Sequence, residues 1–456
     1  MAGGDTHARR TQKPAEADGL AARRAALRVL VEVREGRPFE AALDRAVGRM
    51  NDPDRRLAHE LAAGVLRGRS ALDARLAAHV PRGWDRVAPD LQEVLRVGAF
   101  QLTALDRVPP HAAVDTSVAL AKELGGTRAG GFVNAVLRRV AEEAGRDGSG
   151  EEAAGMGDQS ADPATALARS ASHPRWLVAR WLERLGPEET AALLRWNNTR
   201  PRLVLQPARA DVHELAARWR TAGIEVTPAP HAAGLATDRT RPADLPGYEE
   251  GAFIVQDPAQ ALLARYADLP RGATLYDACA APGGKSITFG RSVGRVVSAD
   301  ASRSRARRLA ENLRRAGSGR EYPVVADARH PPVRPVDAVL VDAPCLGTGT
   351  FARHPDARWR VTPEALDRLA ARQAELLDAA AEIVAPGGLL VYSTCSIEPE
   401  ENEQQAARFL ARHPEFRREP SGTFPPALTS AEGDLMILPQ RHQMDGAYAA
   451  RLRRAR

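Results

Sequence analysis

From about Ala21 to Val140, apolar residues recur at the three- and four-residue spacing of a helix face. Leu27, Leu30 and Val31 are followed by Leu57, Leu61 and Val65, and then by Leu91, Val94, Leu95 and Ala99. Asn51-Asp52-Pro53 and Pro109-Pro110 punctuate the pattern, and β-branched runs are absent. The spacing predicts an all-helical domain over residues 21–140, preceded by a disordered N-terminus of residues 1–20. Residues 141–170 are acidic, rich in Gly and Ser and nearly without large apolar groups. Such a segment cannot bury enough surface to offset its ordering entropy, which predicts a linker.

His173-Pro174-Arg175-Trp176 then opens a further helical stretch containing Trp176, Trp181 and Trp196. The alternation Arg202–Gln206 predicts a strand, 212–222 a helix and Ile224–Thr227 a second strand, giving a small α+β domain over residues 171–250. From 251 to 456 the texture changes again. Strands are predicted at Ala273–Asp277, Arg295–Asp300, Tyr322–Ala326, Asp337–Asp342 and Leu389–Thr394, with helices at 302–316 and 363–384. Thr362 as N-cap and Pro363 in the first turn mark the start of the second helix. Strands alternating with helices imply a doubly wound, mostly parallel sheet. The fold class is therefore multidomain: an all-α N-terminal domain, a small α+β domain and a Rossmann-like α/β domain.

A chain of 456 residues exceeds one ordinary core, and 44% hydrophobic with 27% charged residues is the balance of a folded protein. No stretch approaches the ~18 apolar residues of a membrane span, and the N-terminus lacks a signal-peptide core. Three cysteines make no disulfide framework, so a reduced, cytoplasmic setting is expected. No metal-ligand spacing is evident, and a monomer is expected. Lysine occurs only at 13, 122 and 285, so arginine abundance is a compositional habit and weak evidence for RNA binding. Its distribution says more. Residues 1–140 carry 23 Lys+Arg against 17 Asp+Glu, which equals the whole net charge of +6. That bias suggests a polyanionic partner for the helical domain.

The first α/β strand ends in Asp277-Ala278-Cys279-Ala280-Ala281-Pro282-Gly283-Gly284-Lys285 and runs into a helix. Gly283 and Gly284 allow a close backbone approach to a ligand at a helix N-terminus, without the G-x-G-x-x-G spacing of dinucleotide binders. Asp300 closes the next strand, where a carboxylate can accept from ribose hydroxyls, and Asp327 follows the third, placed to meet an adenine amino group. Asp342-Ala343-Pro344-Cys345 closes the fourth strand, and Ser393-Thr394-Cys395-Ser396 a later one. Both cysteines should face the crevice at the strand carboxyl ends. Cys279 reads as a small buried hydrophobe.

DACAAPGGK at 277–285, DAPCLGTG at 342–349, HPDARWR at 354–360 and YSTCSIEPEENE at 392–403 resemble the motifs of the Nol/Nop/Sun RNA cytosine-5 methyltransferases. The N-terminal domain resembles the NusB RNA-binding fold, on Leu95–Gln101 and Gly131–Arg138. The order of the three domains resembles the bacterial members that modify small-subunit ribosomal RNA. The resemblance implies S-adenosylmethionine as cofactor, held by Cys279, Ala280, Ala281, Pro282, Gly283, Gly284 and Lys285 with Asp300, Asp327 and Asp342. It implies Cys395 as nucleophile, Cys345 as the residue that releases the product, and Asp342 as a third catalytic group facing the cofactor, the cytosine or both. The chemistry suits these residue types. A thiolate adding to carbon 6 of cytosine makes carbon 5 nucleophilic, an acid near N3 stabilises the adduct, and a second thiol assists its release.

The sequence departs from the family pattern at Leu346, where a small polar residue is usual, and at Arg358, where lysine is common. Arg358 is given no catalytic role, because arginine and lysine are not equivalent. Three alternatives stay open: a related enzyme acting on transfer or other RNA, a DNA cytosine-5 methyltransferase using Cys345, and an inert NusB-like assembly or antitermination protein.

Overall fold

The computed structural model describes residues 19–48, 50–147, 162–239, 241–422 and 424–456. The expected disordered N-terminus therefore lies, but for its last two residues, outside the described residues, as does 148–161 of the expected linker. The chain divides into two compact units, residues 1–190 and 191–456.

The first unit is helical throughout. Its main helices are Leu20–Arg34, Phe39–Val47, Asp52–Ala77, Pro89–Ala104 and Pro110–Asp147, the last broken at Gly125-Gly126. Asn51 caps the third by accepting from the Asp54 amide at 2.9 Å. Leu61, Val94, Leu95, Ala99 and Leu137 are fully buried, as the helical spacing requires. At Gly98 a Cβ would stand 2.4 Å from Leu137 Cδ1, so the glycine sets how closely two of these helices approach. The fifth helix runs seven residues past the predicted boundary. Residues 163–170, expected from composition to belong to the linker, form another helix. The local reason is the Asp162-Pro163 start, with the Asp162 carboxylate accepting from the Ala164 and Thr165 amides, and Ala164 and Ala168 buried. Ser172 just beyond it accepts from the Ala71 amide at 3.2 Å.

The second unit holds two sheets. The smaller is antiparallel, ordered β2-β3-β1-β4, with β1 Leu203–Pro207, β2 Thr227–Pro228, β3 Leu235–Thr237 and β4 Phe253–Val255. The strand expected at Ile224–Thr227 is reduced to β2, because Gly223 turns at positive φ and Pro228 lacks an amide donor. Trp219, on a helix capped by Asp211, is fully buried against Leu205 and Phe253.

The larger sheet contains β5 Thr274–Asp277, β6 Arg295–Asp300, β7 Glu321–Val325, β8 Val336–Asp342, β9 Val384–Thr394, β10 Phe416–Arg418, β11 Leu435–Ile437 and β12 Ala447–Arg454. Its order is β10-β12-β9-β8-β5-β6-β7, with β11 also on β12. Strands β5 to β9 run parallel, whereas β12 is antiparallel to β9. Ala338 to Val341 and Leu389 to Tyr392 are fully buried, the near-continuous apolar runs of a sheet covered on both faces. Strand order reverses at β5, which lies between β6 and β8. The crevice at such a switch point, beyond the strand carboxyl ends, is where ligands bind in open α/β sheets.

Candidate functional site

Asp277, the last residue of β5, is fully buried and accepts from Ser286 Oγ at 2.6 Å. Its other oxygen has no hydrogen-bond partner in the protein, and burial pushes the carboxyl up to about 7. After it the chain turns through Cys279, Ala280, Ala281 and Pro282 to Gly283, whose φ of 110° suits glycine. A Cβ there would lie 2.9 Å from Leu309 Cδ1, so packing on the helix Arg303–Ala316 also demands the glycine. Cys279 packs against the sheet core, and burial raises its thiol to about 12, which makes it an inert thiol.

Asp300, closing β6, is 4% exposed. Arg305 Nε meets both its oxygens at 3.0 Å, and the Ser302 amide donates at 2.8 Å. Asp327, beyond β7, is held at about 2 by its hydrogen bond from Arg329, with Nη2 to Oδ2 at 2.7 Å. Lys285 directs its ammonium to Asp342 Oδ2 at 2.6 Å, and Ser393 Oγ donates to Asp342 Oδ1 at 2.9 Å. Burial opposes the charge on Lys285, but Asp342 outweighs it and raises the ammonium above its ordinary value.

Asp300, Asp327 and Asp342 bring carboxylate oxygens to the strand ends, each already oriented by Arg305, Arg329 or Lys285. Such oxygens can accept from the hydroxyl and amino donors of a nucleoside. S-adenosylmethionine, with ribose hydroxyl and adenine amino donors, fits those acceptors.

The two remaining cysteines meet. Cys345 follows β8, Cys395 follows the neighbouring β9, and their sulfurs lie 3.3 Å apart, both partly exposed. The hydrogen bond to Cys395, together with burial, holds the Cys345 thiol well above its ordinary value. Behind Cys395 three backbones touch. The Gly349 amide donates to the Cys395 carbonyl at 3.1 Å, and a Cβ on Gly349 would stand 2.6 Å from Gly446 Cα. Gly446 follows the buried Asp445, which shares Arg353 with Asp257.

Arg358 is fully buried and donates to the Asn197 and Phe351 carbonyls and to Asn198 Oδ1. Its place is in tying the start of this unit to the loop after β8. Leu346, the other departure from the family pattern, is buried and donates its amide to Glu401. Sequence reasoning missed Glu401 and Gln373, which hold the chain on both sides of Cys345. Glu401 stands inside the quoted 392–403 motif, but nothing in the local pattern separates it from Glu398, also fully buried, or from the half-buried Glu400 and Glu403. Among the described residues no group of three or more His, Cys, Asp or Glu side chains is arranged to hold a metal, and no helix is long and apolar enough to cross a membrane.

Sheet order, switch-point crevice and acidic strand ends together define a Rossmann-like, S-adenosylmethionine-dependent methyltransferase. Matches to known families cover the domains in turn: the NusB family over residues 20–142, the RsmF/B-like ferredoxin-like domain over 173–242, and the 16S rRNA methyltransferase RsmB/F over 266–453. The chain is 34% identical to a probable ribosomal RNA small subunit methyltransferase B of Synechocystis, across 96% of this chain and all of the relative. It is also 34% identical to the ribosomal RNA small subunit methyltransferase B of Vibrio cholerae, across 94% of this chain and 96% of that one. The crystal structure of PH0851 superposes with a TM-score of 0.80 at 25% identity, covering 96% of this chain and all of that one. The chain belongs to the RsmB/F family of 16S rRNA methyltransferases.

Proposed function

We propose that the protein methylates carbon 5 of a cytosine in small-subunit ribosomal RNA through a covalent bond between Cys395 and carbon 6. The observation that carries this reading is the pair of thiols 3.3 Å apart beside the cofactor crevice. A methyltransferase acting on a nitrogen or hydroxyl needs no thiol there, whereas carbon 5 of cytosine is unreactive until carbon 6 is attacked.

When bound, S-adenosylmethionine supplies an electrophilic methyl group. Asp300 and Asp327 would hold its ribose and adenine, with the turn 279–285 against the remainder. Cys395, as thiolate, bonds to carbon 6 and moves electron density to carbon 5. Asp342 meets the N3 edge of the base, and Lys285 supplies the proton that neutralises the adduct there. With Cys395 bonded to carbon 6, Cys345 is the free thiol left beside methylated carbon 5, and it gives up its own proton to solvent. Its thiolate takes the proton from methylated carbon 5. The electrons of that C–H bond re-form the C5–C6 double bond, the C6–S bond breaks, Cys395 leaves as thiolate, and N3 returns its proton to Lys285.

The test is bisulfite sequencing of ribosomal RNA from a strain lacking the gene. One small-subunit cytosine should lose its protection and regain it when the intact gene is restored. An unchanged pattern throughout small-subunit RNA would refute the reading, and a lost site in transfer RNA would move the substrate there.

A further inference from the structure

Glu401 lies in the turn Pro399–Glu401, six residues past Cys395, and is fully buried. Its oxygens accept from the amide of Leu346, the residue after Cys345, at 3.0 and 3.2 Å. On the other side, Asn402, the next residue in the chain, donates its side-chain amide to the carbonyl of Ser396, the residue after Cys395, at 3.0 Å. Gln373 Nε2 donates to Glu401 Oε1 at 3.0 Å and to the Pro344 carbonyl, just before Cys345, at 2.9 Å. The Tyr392 hydroxyl in turn donates to the Glu401 carbonyl at 2.5 Å and lies 3.0 Å from Gln373 Oε1. Residues 344 and 346 beside Cys345 are thus tied to the Glu401–Gln373 pair, and residue 396 beside Cys395 is tied to Asn402 directly after Glu401.

This arrangement is costly. Burial pushes Glu401 up to about 7, with the Glu398 charge adding to it. Burying an acid costs free energy that an apolar side chain would not. What an apolar residue cannot do is accept from the Leu346 amide and from Gln373 at once, and so hold the Cys345 loop against the turn that follows Cys395. Resting on the two-thiol reading, we propose that Glu401 is the positioning residue that fixes Cys345 and Cys395 within reach of each other. Release of the product by one sulfur from the other depends on that approach.

The test uses the full-length protein with Glu401→Gln and, separately, Gln373→Leu, each checked by thermal melting. The first readout needs neither cofactor nor RNA. A diazene thiol oxidant takes two hydrogens from the Cys345 and Cys395 thiols, becoming a hydrazine and leaving a disulfide, which mass spectrometry counts in peptides. Wild type should form that disulfide readily, and both variants at least about tenfold more slowly, as expected for loss of a charge-assisted hydrogen bond. The second readout adds S-adenosylmethionine and unmodified small-subunit RNA, where Glu401→Gln should accumulate a denaturation-resistant protein–RNA complex, as Cys345→Ala should. Wild-type oxidation rates in folded variants, or no disulfide in the wild type, would overturn the inference. If Glu401→Gln does not fold, Gln373→Leu decides alone. Slowed oxidation with no complex from Cys345→Ala would instead sustain the positioning role and refute the two-thiol reading.

Discussion

The sulfurs of Cys345 and Cys395 lie 3.3 Å apart although fifty positions separate them in the chain. Parallel pairing of β8 with β9 produces the meeting. The register sets Asp342 beside Ser393, so the loops leaving the two strands carry one cysteine each to the same point above the sheet. Ser393 also donates to Asp342, and Lys285 approaches Asp342 from the turn after β5. Three strand ends therefore converge on one acid and two thiols, beside the crevice at the strand carboxyl ends.

Asp300 supplies the first prediction. Its carboxylate is nearly buried and already oriented by Arg305 and the Ser302 amide, so it is poised to accept from ribose hydroxyls. Asp300→Ala should weaken S-adenosylmethionine binding by roughly 1–3 kcal/mol. Calorimetry giving the wild-type dissociation constant would remove Asp300 from the cofactor site.

Asp277 makes stability depend on pH. Its folded value of about 7 lies above the ~3.9 of an unfolded chain. The folded protein thus keeps a proton that the unfolded chain has lost between those limits. The stability this confers is full below about pH 4 and is lost as the pH rises through 7. Asp277→Asn stays neutral throughout, so the variant should gain on wild type by up to about 1.4 kcal/mol per pH unit across that window. Denaturant titrations at pH 5 and 8 that return the same difference would contradict the assignment.

The ends of the central strands are legible in the amino-acid sequence. Apolar runs stopping at Asp300 and Asp342 mark β6 and β8, because a parallel strand buried on both faces must be apolar until it leaves the sheet. The three C-terminal strands are not legible in this way. β12 reads Ala-Tyr-Ala-Ala-Arg-Leu-Arg-Arg, and its buried Arg451 is tolerated because Glu419 lies 3.6 Å away. The helix at 163–170 is masked by the polar, small-residue composition around it, which outweighs its Asp-Pro start. Motif position puts both cysteines in the crevice, but their meeting follows from register, which no local pattern encodes. Glu401 is hidden for the same reason, since its importance lies in what approaches it from β8 and from Gln373.

The helical N-terminal domain carries the surplus positive charge, and Arg128, Arg138 and Arg139 are exposed on its last long helix. Replacing all three with Glu should lower affinity for small-subunit RNA. It should also flatten the slope of log affinity against log salt by up to about one for each phosphate no longer neutralised. Affinity for S-adenosylmethionine should not change. Filter binding across a salt series, giving an unaltered slope, would exclude this surface from RNA binding.

The central claim assigns different work to two sulfurs in contact, and trapping the reaction separates them. Cys395→Ala cannot bond to carbon 6 and should be inactive, leaving no RNA on the protein. Cys345→Ala should form the bond, transfer the methyl group and then fail to expel the thiol. A covalent protein–RNA complex should accumulate, resistant to denaturation and dependent on S-adenosylmethionine, and the double substitution should abolish it. Denaturing electrophoresis of the three variants with radiolabelled RNA reads this directly. A band from Cys345→Ala alone is the predicted result, whereas a band from Cys395→Ala would reverse the roles, and a band from neither would refute the two-thiol mechanism.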